Sequence, residues 1–246
     1  MILEATGVHK RFGQQVVLEE VSLAFEPDRL SGIMGPNGAG KTTFFHVLTG
    51  LHRPDRGSVR FDGTDITGWP PRAIAARGIA RSFQTMTLFD EFTALRNVLT
   101  AMPEIRERRF DMLGDLEASK DATDAALGVL ARVGLRERAS TLARSLPYGD
   151  RRRLDIAIAI AARPKLLFLD EPTAGLSGEA VAQLADLIRE LKQSLTIVLI
   201  EHNMPFLFGL ADSVAVMHWG QVIARGTPAE LREDPWVKAS NLGKLA

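Results

Sequence analysis

One short stretch constrains this chain more than any other: Gly35, Pro36, Asn37, Gly38, Ala39, Gly40, Lys41, Thr42 and Thr43. It has the spacing G-x-x-x-x-G-K-T, follows the apolar run Leu30–Met34 and opens the helix-like segment Thr42–Leu48. A strand, a glycine-rich loop and a helix in this order form a phosphate-binding loop, because the glycines let successive N–H groups point at phosphate oxygens. The positive end of the helix dipole lies at the same place. The sequence therefore predicts an α/β fold with a P-loop NTPase (RecA-like) core.

Two side chains of this loop have the chemistry to bind a nucleotide. Lys41 is placed to reach the β- and γ-phosphates, and the Thr42 hydroxyl can ligate Mg²⁺. The alternative is a glycine-rich turn that only joins a strand to a helix. That alternative does not account for the spacing and the flanking elements together.

Composition narrows the class of protein. The chain has 246 residues, of which 46% are hydrophobic, which suits one α/β domain with a subdomain. Lysine plus arginine and aspartate plus glutamate are both 30, so no broad positive surface is expected to attract nucleic acid. There is no cysteine for a disulfide or a thiolate metal site. Residues 1–5 do not resemble a signal peptide, and no apolar run approaches the roughly 18 residues of a membrane span. Any membrane connection is therefore expected to pass through a partner.

Acidic residues follow a second apolar run. Leu166–Asp170 reads as a strand buried on both faces, and Glu171 comes next. Asp170 would stand beside the phosphate loop, where Mg²⁺ needs an anionic oxygen ligand. Glu171 could orient and deprotonate a water molecule for attack on the γ-phosphate. The alternative, two acids that merely end a strand, is weak when a phosphate loop lies upstream.

Other strand ends carry polar side chains as well. Gln84 ends the segment that begins at Arg81, and His202 follows the strand Thr196–Ile200. A histidine at a strand end is usually structural, but this one shares a sheet edge with Gln84 and Asp170, which favours a γ-phosphate contact. Phe12 lies in a turn after the first strand. It is either an exposed turn aromatic or a stacking surface for an adenine ring, and the residues alone leave both open.

The pattern of the remaining elements predicts three parts. Short strands dominate residues 3–61 and indicate an N-terminal antiparallel β subdomain. Strand signals vanish from Thr85 to about Ala162, where helical spacing over Asp121–Val133 indicates an inserted helical subdomain. We expect a single domain over 1–246, with a core of 1–84 and 163–246, a helical subdomain of 85–162 and a C-terminal extension of 227–246. Other expected elements are helices at 70–80, 151–162 and 178–193, a hairpin over 213–226, and a capping box of Thr227 and Glu230.

Four large apolar residues follow Gln84: Leu88, Phe89, Phe92 and Leu95. One interpretation places them in the core of the helical subdomain. The other, based on the acidic pair that the two phenylalanines flank, is a groove that receives a short helix from a partner.

With these pieces in order, the chain resembles the ATP-binding subunits of ABC transporters along essentially its whole length. The resemblance implies Mg²⁺-dependent ATP hydrolysis, with ATP held by residues 35–43, Phe12 and Gln84. The implied metal ligands are Thr42, Gln84 and Asp170, and the implied catalytic residues are Glu171 and His202. The matching motifs are Phe12 (adenine-stacking aromatic), Gly35–Thr42 (Walker A), Gln84 (Q-loop), Leu146–Asp150 (signature), Leu166–Asp170 (Walker B), Glu171 (catalytic glutamate), Ala174–Ser177 (D-loop) and His202 (switch histidine).

The signature departs from the family's common Leu-Ser-Gly-Gly-Gln. Here it reads Leu146, Pro147, Tyr148, Gly149 and Asp150. Pro147 removes the serine hydroxyl that meets the nucleotide on the opposite subunit, while the N–H groups near Gly149 remain an anion site. This variant, the sequence Ile-Glu-His-Asn-Met and the extension at 234–238 resemble the ATPases of branched-chain amino acid importers.

That narrower resemblance implies an assembly. It comprises a second ATPase subunit, identical or different, two integral membrane permease subunits and an external solute-binding protein, with no nucleic acid. The chain would be cytoplasmic and peripheral on the inner face of the plasma membrane, powering uptake of branched-chain amino acids or a similar small polar solute. The alternatives are a urea or amide importer, a lipid exporter, or an ABC ATPase that acts on ribosomes or DNA. The last is disfavoured because Lys41 and Leu146 lie too close in sequence to enclose a long coiled coil.

Overall fold

The computed structural model describes residues 1–82, 86–106, 119–235 and 237. Its strands are β1 (Leu3–Phe12), β2 (Gln15–Phe25), β3 (Leu30–Met34), β4 (Arg56–Phe61), β5 (Thr64–Asp65), β6 (Ile79–Arg81), β7 (Leu166–Asp170), β8 (Thr196–Ile200), β9 (Ser213–His218) and β10 (Gln221–Gly226). Its helices are α1 (Lys41–Leu48), α2 (Pro71–Ala76), α3 (Ala94–Leu99), α4 (Pro103–Arg106), α5 (Lys120–Arg132), α6 (Tyr148–Ala161), α7 (Gly178–Leu191), α8 (Met204–Phe208) and α9 (Pro228–Glu233). The α/β fold expected from the sequence is confirmed.

A six-stranded sheet forms the centre of the fold, in the order β10-β9-β3-β8-β7-β6. Only the β9–β10 pair is antiparallel among these strands. Every residue of β3, β7 and β8 is buried, which explains why their sequences are mostly apolar and do not alternate. Ile200 in β8 is in register with both Ile33 and Asp170. The carboxyl ends of β3, β7 and β8 therefore meet at one edge of the sheet.

A second, antiparallel sheet has the order β2-β1-β4-β5. Its inner face packs on α1 and the central sheet in one apolar cluster that includes Leu18, Phe25, Phe44, Phe61 and Phe168. The helix that follows the glycine-rich loop is thus held between the two sheets. This arrangement confirms the antiparallel β layer beside the core.

The region from 86 to 162 is helical where the structure describes it, and a single bridge between Thr93 and Leu142 is its only strand-like pairing there. Buried side chains of α3, α5 and α6, such as Val98, Leu130 and Leu154, belong to the same apolar cluster as Leu199 of the central sheet. The subdomain boundaries remain a prediction. Within the described residues, no helix combines the length and the apolar character needed to cross a bilayer.

Two helix ends differ from the sequence expectations, and one helix was not expected. The helix expected at 70–80 ends at Ala76, because Gly78 adopts φ +101° and starts the chain into β6. The helix expected from Arg151 begins at Tyr148, because Pro147 supplies a fixed φ of −54° at its start. α8 was not expected, since five residues are too few to show a helical period.

Two local expectations at helix ends are confirmed. Gly134 follows α5 with φ +70°, the left-handed conformation that ends a helix. Thr227 and Glu230 form a reciprocal capping box at the start of α9.

Candidate active site

The loop between β3 and α1 is built on glycines, two of which have no room for a side chain. Gly35, Gly38 and Gly40 have φ values of +154°, +80° and +94°. A Cβ atom on Gly35 would lie 2.1 Å from the carbonyl oxygen of Met217, and one on Gly40 would lie 2.8 Å from that of Val17. Gly40 is also the residue from which α1 starts. The backbone therefore curls tightly in front of a helix N-terminus, the arrangement that receives phosphate.

Lys41 is buried at the base of this loop. Its ammonium donates hydrogen bonds to the carbonyl oxygens of Gly35, at 2.8 Å, and Pro36, at 2.9 Å. Burial lowers the pKa of Lys41, and the negative charges of Glu171 and Asp170 act in the opposite direction. The two carbonyls hold the ammonium in place, and phosphate oxygens are better acceptors for it than neutral carbonyls are.

Acidic side chains face this lysine from the end of β7. Burial, and then the neighbouring charge of Glu171, raise the pKa of Asp170 to about 6, while Lys41 lowers it. A buried carboxyl group beside a second acid is harder to ionise, and a nearby cation would favour its charged form. The Thr42 side chain is exposed at the same sheet edge, and hydroxyl and carboxylate oxygens are ligands that Mg²⁺ accepts. The residues therefore fit a magnesium ion that shares its coordination with phosphate and water.

No group of three or more His, Cys, Asp or Glu residues is arranged to hold a metal in the part of the chain that the structure describes. Proteins commonly bind Mg²⁺ through one or two side chains plus substrate phosphates. Gln84, the third expected ligand and an expected ATP contact, lies outside the described residues.

Glu171 and His202 come together from two neighbouring strands. Nδ1 of His202 lies 3.7 Å from Oε1 of Glu171, and the His202 side chain is 56% exposed. Glu171 has φ +44°, an uncommon conformation for a residue with a side chain. Its N–H donates to the carbonyl oxygen of Ile200 at 2.9 Å, which fixes the turn against β8. A carboxylate and an imidazole thus stand side by side at the edge that carries the phosphate loop.

Phe12 lies at the end of β1, paired with Gln15, and not in the turn itself. The register of β1 against β2 shifts repeatedly beyond Ala5, which hides the alternating pattern that would have extended the predicted strand. The ring is 45% exposed, meets His52 edge to face at 5.1 Å, and has the Lys10 ammonium at 5.4 Å from its centre. An exposed, supported ring has the form of a stacking platform, and its role remains a prediction.

Only some of the side chains in the signature segment are accessible at the surface. Leu146 is buried in the apolar core, and the buried Asp150 carboxylate forms ion pairs with Arg138, at 2.9 Å, and Arg153. Tyr148 is exposed at the start of α6, where its hydroxyl donates to the carbonyl oxygen of Ala174 at 3.2 Å. The segment therefore offers Pro147, Tyr148 and the N–H groups near Gly149 to a ligand, and not the side chains of Leu146 and Asp150.

Two residues of this region received no role from the sequence. Thr173 and Glu201 are both buried, and the Thr173 N–H and hydroxyl both donate to the Glu201 carboxylate. The one sequence signal for this pair is Glu201, an acid directly after the buried strand β8. Only the histidine next to it, His202, received a role from the sequence.

The comparisons with known proteins agree with this geometry. The ABC transporter family model matches residues 18–174. The chain is 38% identical over 252 residues to the high-affinity branched-chain amino acid transport ATP-binding protein BraF of Pseudomonas aeruginosa, covering 99% of this chain and 98% of that protein. LivG of Escherichia coli K12, with the same description, is 38% identical over 250 residues and has the same coverage. The lipopolysaccharide export system ATP-binding protein LptB of Haemophilus influenzae is 32% identical over 244 residues, with 99% and 98% coverage.

Solved structures lead to the same family. The ADP conformation of an ATP-binding cassette from an ABC transporter superposes with a TM-score of 0.87 at 29% identity, covering 98% of both chains. A nucleotide-free ATP-binding cassette gives 0.85 at 28% identity, covering 97% of this chain and 98% of the other. With the phosphate loop, the acidic strand end and the edge histidine in one place, these matches show that the chain belongs to the ABC transporter family as one of its ATP-binding, ATP-hydrolysing cassettes.

Proposed function

We propose that this chain powers an importer of branched-chain amino acids or of a similar small polar solute. The similarity to BraF and LivG over 99% of the chain carries the proposal. The identity to the lipopolysaccharide export protein is lower, 32% against 38%. Lipid export, and uptake of urea or another amide, are the alternatives that an experiment must separate from it.

The proposed reaction is attack of water on the γ-phosphorus of ATP, with cleavage of the bond to the ADP oxygen. The N–H groups of residues 35–43 and the Lys41 ammonium hold the phosphates, and Phe12 supports the adenine. Glu171 takes the proton from the attacking water, and His202 contacts the γ-phosphate. Mg²⁺, held by Thr42, Asp170 and Gln84, would neutralise phosphate charge.

Transport requires partners. ABC cassettes work in pairs and with membrane permease subunits, and we propose two permease subunits and an external solute-binding protein here. Each nucleotide would be closed by the signature segment of the opposite cassette, through the N–H groups near Gly149. In such an assembly the chain would lie on the cytoplasmic side, peripheral to the inner face of the plasma membrane.

The transported solute is tested by reconstitution. We expect vesicles that contain this chain, its permease subunits and their binding protein to accumulate radiolabelled leucine or valine in an ATP-dependent way. A matched set of vesicles carrying Glu171→Gln supplies the control without hydrolysis. ATP-dependent uptake of urea in place of leucine, or extraction of a lipid, would replace the proposed solute and leave the ATPase assignment unchanged.

The segment after Gln84 is the proposed contact with a permease subunit. Leu88 and Leu95 pack against the apolar core, whereas Phe89 is 56% exposed and its ring lies 5.2 Å from that of Phe92. Buried Asn97 fixes the Phe89 backbone, accepting from its N–H at 2.9 Å and donating to its carbonyl at 3.1 Å. A rigidly held, exposed aromatic next to acidic side chains suits insertion of a short partner helix.

We therefore expect Phe89→Ala to leave the ATPase activity of the isolated chain within about twofold of wild type while reducing coupled transport about tenfold, the loss typical of an aromatic interface anchor. Transport and ATPase rates in reconstituted vesicles measure this. Ile223→Ala removes an exposed apolar side chain from β10 and serves as the matched control. Parallel losses of thermal stability and isolated ATPase activity in Phe89→Ala would instead show that Phe89 supports the fold and would contradict the docking contact.

A further inference from the structure

We propose that Glu201 is a positioning residue of the active site, which holds His202 and the segment after Glu171 in one fixed arrangement. The proposal rests on the catalytic roles assigned to Glu171 and His202. It goes beyond them because Glu201 and Thr173 are buried residues that have no part in the proposed reaction. Glu201 acts through backbone and hydroxyl hydrogen bonds.

The Glu201 carboxylate is 0% exposed and accepts four hydrogen bonds from two different segments. Oε1 accepts from the N–H of Thr173, at 3.0 Å, and from the Thr173 hydroxyl. Oε2 accepts from the N–H groups of His202, at 3.0 Å, and Asn203, at 3.1 Å. Each oxygen therefore binds one segment, and the carboxylate joins the chain that follows β7 to the chain that follows β8.

The two segments joined in this way carry the proposed catalytic groups. Thr173 follows Glu171 by two positions and directly precedes Ala174–Ser177. Nδ1 of His202 lies 3.9 Å from Oε2 of Glu201 and 3.7 Å from Oε1 of Glu171. The distance between the imidazole and the proposed base thus depends on how Glu201 orients the turn at His202.

The connection continues in both directions. The carbonyl oxygen of Ala174 accepts the hydroxyl of Tyr148 at the start of α6, so the signature segment meets the Thr173 side. On the other side, the Asn203 side chain accepts from the N–H of Phe206 at 3.1 Å and caps α8. A movement of α6 against Ala174 would therefore change the position of the turn at His202.

Only a carboxylate fits this position. Both of its oxygens are acceptors, and three of the four surrounding groups are backbone N–H groups, which can only donate. A glutamine would turn one acceptor into an NH₂ group that faces at least one of these N–H groups, on Thr173 or on His202 and Asn203. One segment would then have to move away. A misplacement of about 1 Å at a catalytic group can cost about 100-fold in rate.

The first test is the kinetics of Glu201→Gln. We expect kcat for ATP hydrolysis to fall at least about tenfold, as for loss of correct placement. The KM for ATP should stay within about twofold, because the Lys41 and phosphate-loop contacts are unchanged. A variant with wild-type kcat, or one in which KM rises as kcat falls while the melting temperature drops, would overturn the proposal.

Two variants of Thr173 test the proposal even if Glu201→Gln does not fold. Thr173→Val removes the hydroxyl with little change of shape, and Thr173→Ser keeps it. We expect Thr173→Val to lower kcat by about threefold to tenfold, the effect of losing one hydrogen bond of ordinary strength while the other three to the carboxylate remain. Thr173→Ser should restore kcat to near the wild-type value. Equal kcat for the two variants would count against a role for the Glu201 contact.

A double-mutant cycle with His202→Ala separates positioning from general stability. If Glu201 acts through His202, adding Glu201→Gln to His202→Ala should lower kcat by less than about twofold more, because coupled sites are not additive. Multiplicative losses would overturn the inference and leave the role of His202 intact. Wild-type kcat in His202→Ala alone would reject the assignment of His202, and with it the positioning role.

Discussion

Replacing Glu171 with glutamine is expected to reduce steady-state ATP hydrolysis by about 10²- to 10⁴-fold, the range that general base catalysis contributes. The amide keeps the shape of the side chain but cannot take a proton from water. ATP affinity should stay close to the wild-type value, because Lys41 and the phosphate loop are untouched. Phosphate release and equilibrium ATP binding on the same preparation give the two measurements. Glu4→Gln, an exposed glutamate on the antiparallel sheet, is the matched control.

The stalled Glu171→Gln variant also reports on the proposed pairing of cassettes. Bound ATP should persist in this variant. Sedimentation should therefore show a dimer of cassettes when ATP is present and a monomer when it is absent. The second cassette is a copy of this chain or a different partner ATPase. A monomer under all of these conditions would contradict the pairing, and near-normal turnover would assign the base to another group.

Replacing Lys41 with alanine is expected to weaken ATP binding by about 10- to 100-fold, the effect of losing hydrogen bonds to a charged group. The ammonium is held by the carbonyl oxygens of Gly35 and Pro36 at the base of the loop, and alanine leaves no donor at that position. Hydrolysis at subsaturating ATP should fall at least in proportion. Lys120→Ala, at an exposed position of α5, controls for the loss of one positive charge.

Thermal unfolding supplies an independent measurement for Lys41. A ligand that binds only the folded state raises its stability by RT ln(1 + [L]/Kd). Millimolar ATP should therefore raise the melting temperature of the wild-type chain and of Lys120→Ala, and much less that of Lys41→Ala. Equal ATP-induced shifts in all three proteins would mean that the triphosphate binds elsewhere.

The two predictions address different steps of one reaction. Lys41 acts on the bound phosphates, and its loss affects occupancy. Glu171 acts on the water, and its loss affects chemistry after binding. Loss of the buried Glu201 carboxylate should lower kcat through His202 and leave occupancy nearly unchanged.

Local sequence was sufficient for the phosphate loop and for the central strands. The loop conformation depends on glycines at Gly35 and Gly40, where any Cβ would collide with backbone, so the motif itself specifies the geometry. β3, β7 and β8 are buried on both faces, so each is mostly apolar and does not alternate. Parallel order then brings the residues after them to one edge. For this reason the sequence alone is sufficient to group Lys41, Asp170, Glu171 and His202.

Contacts between distant segments decided the rest. Whether Phe89 is core or surface depends on how Asn97 fixes its backbone, and helical spacing cannot show this. Asp150 looked like a ligand-facing signature residue, but Arg138 and Arg153 hold it inside the fold. In the sequence, Glu201 is only the residue before His202. The fold brings Thr173, from the turn after β7, to its Oε1 atom, and this contact is visible only in the tertiary structure. Sequence specifies which groups are present at a strand end, whereas hydrogen-bond partners 28 positions apart are set by the packing of the sheet.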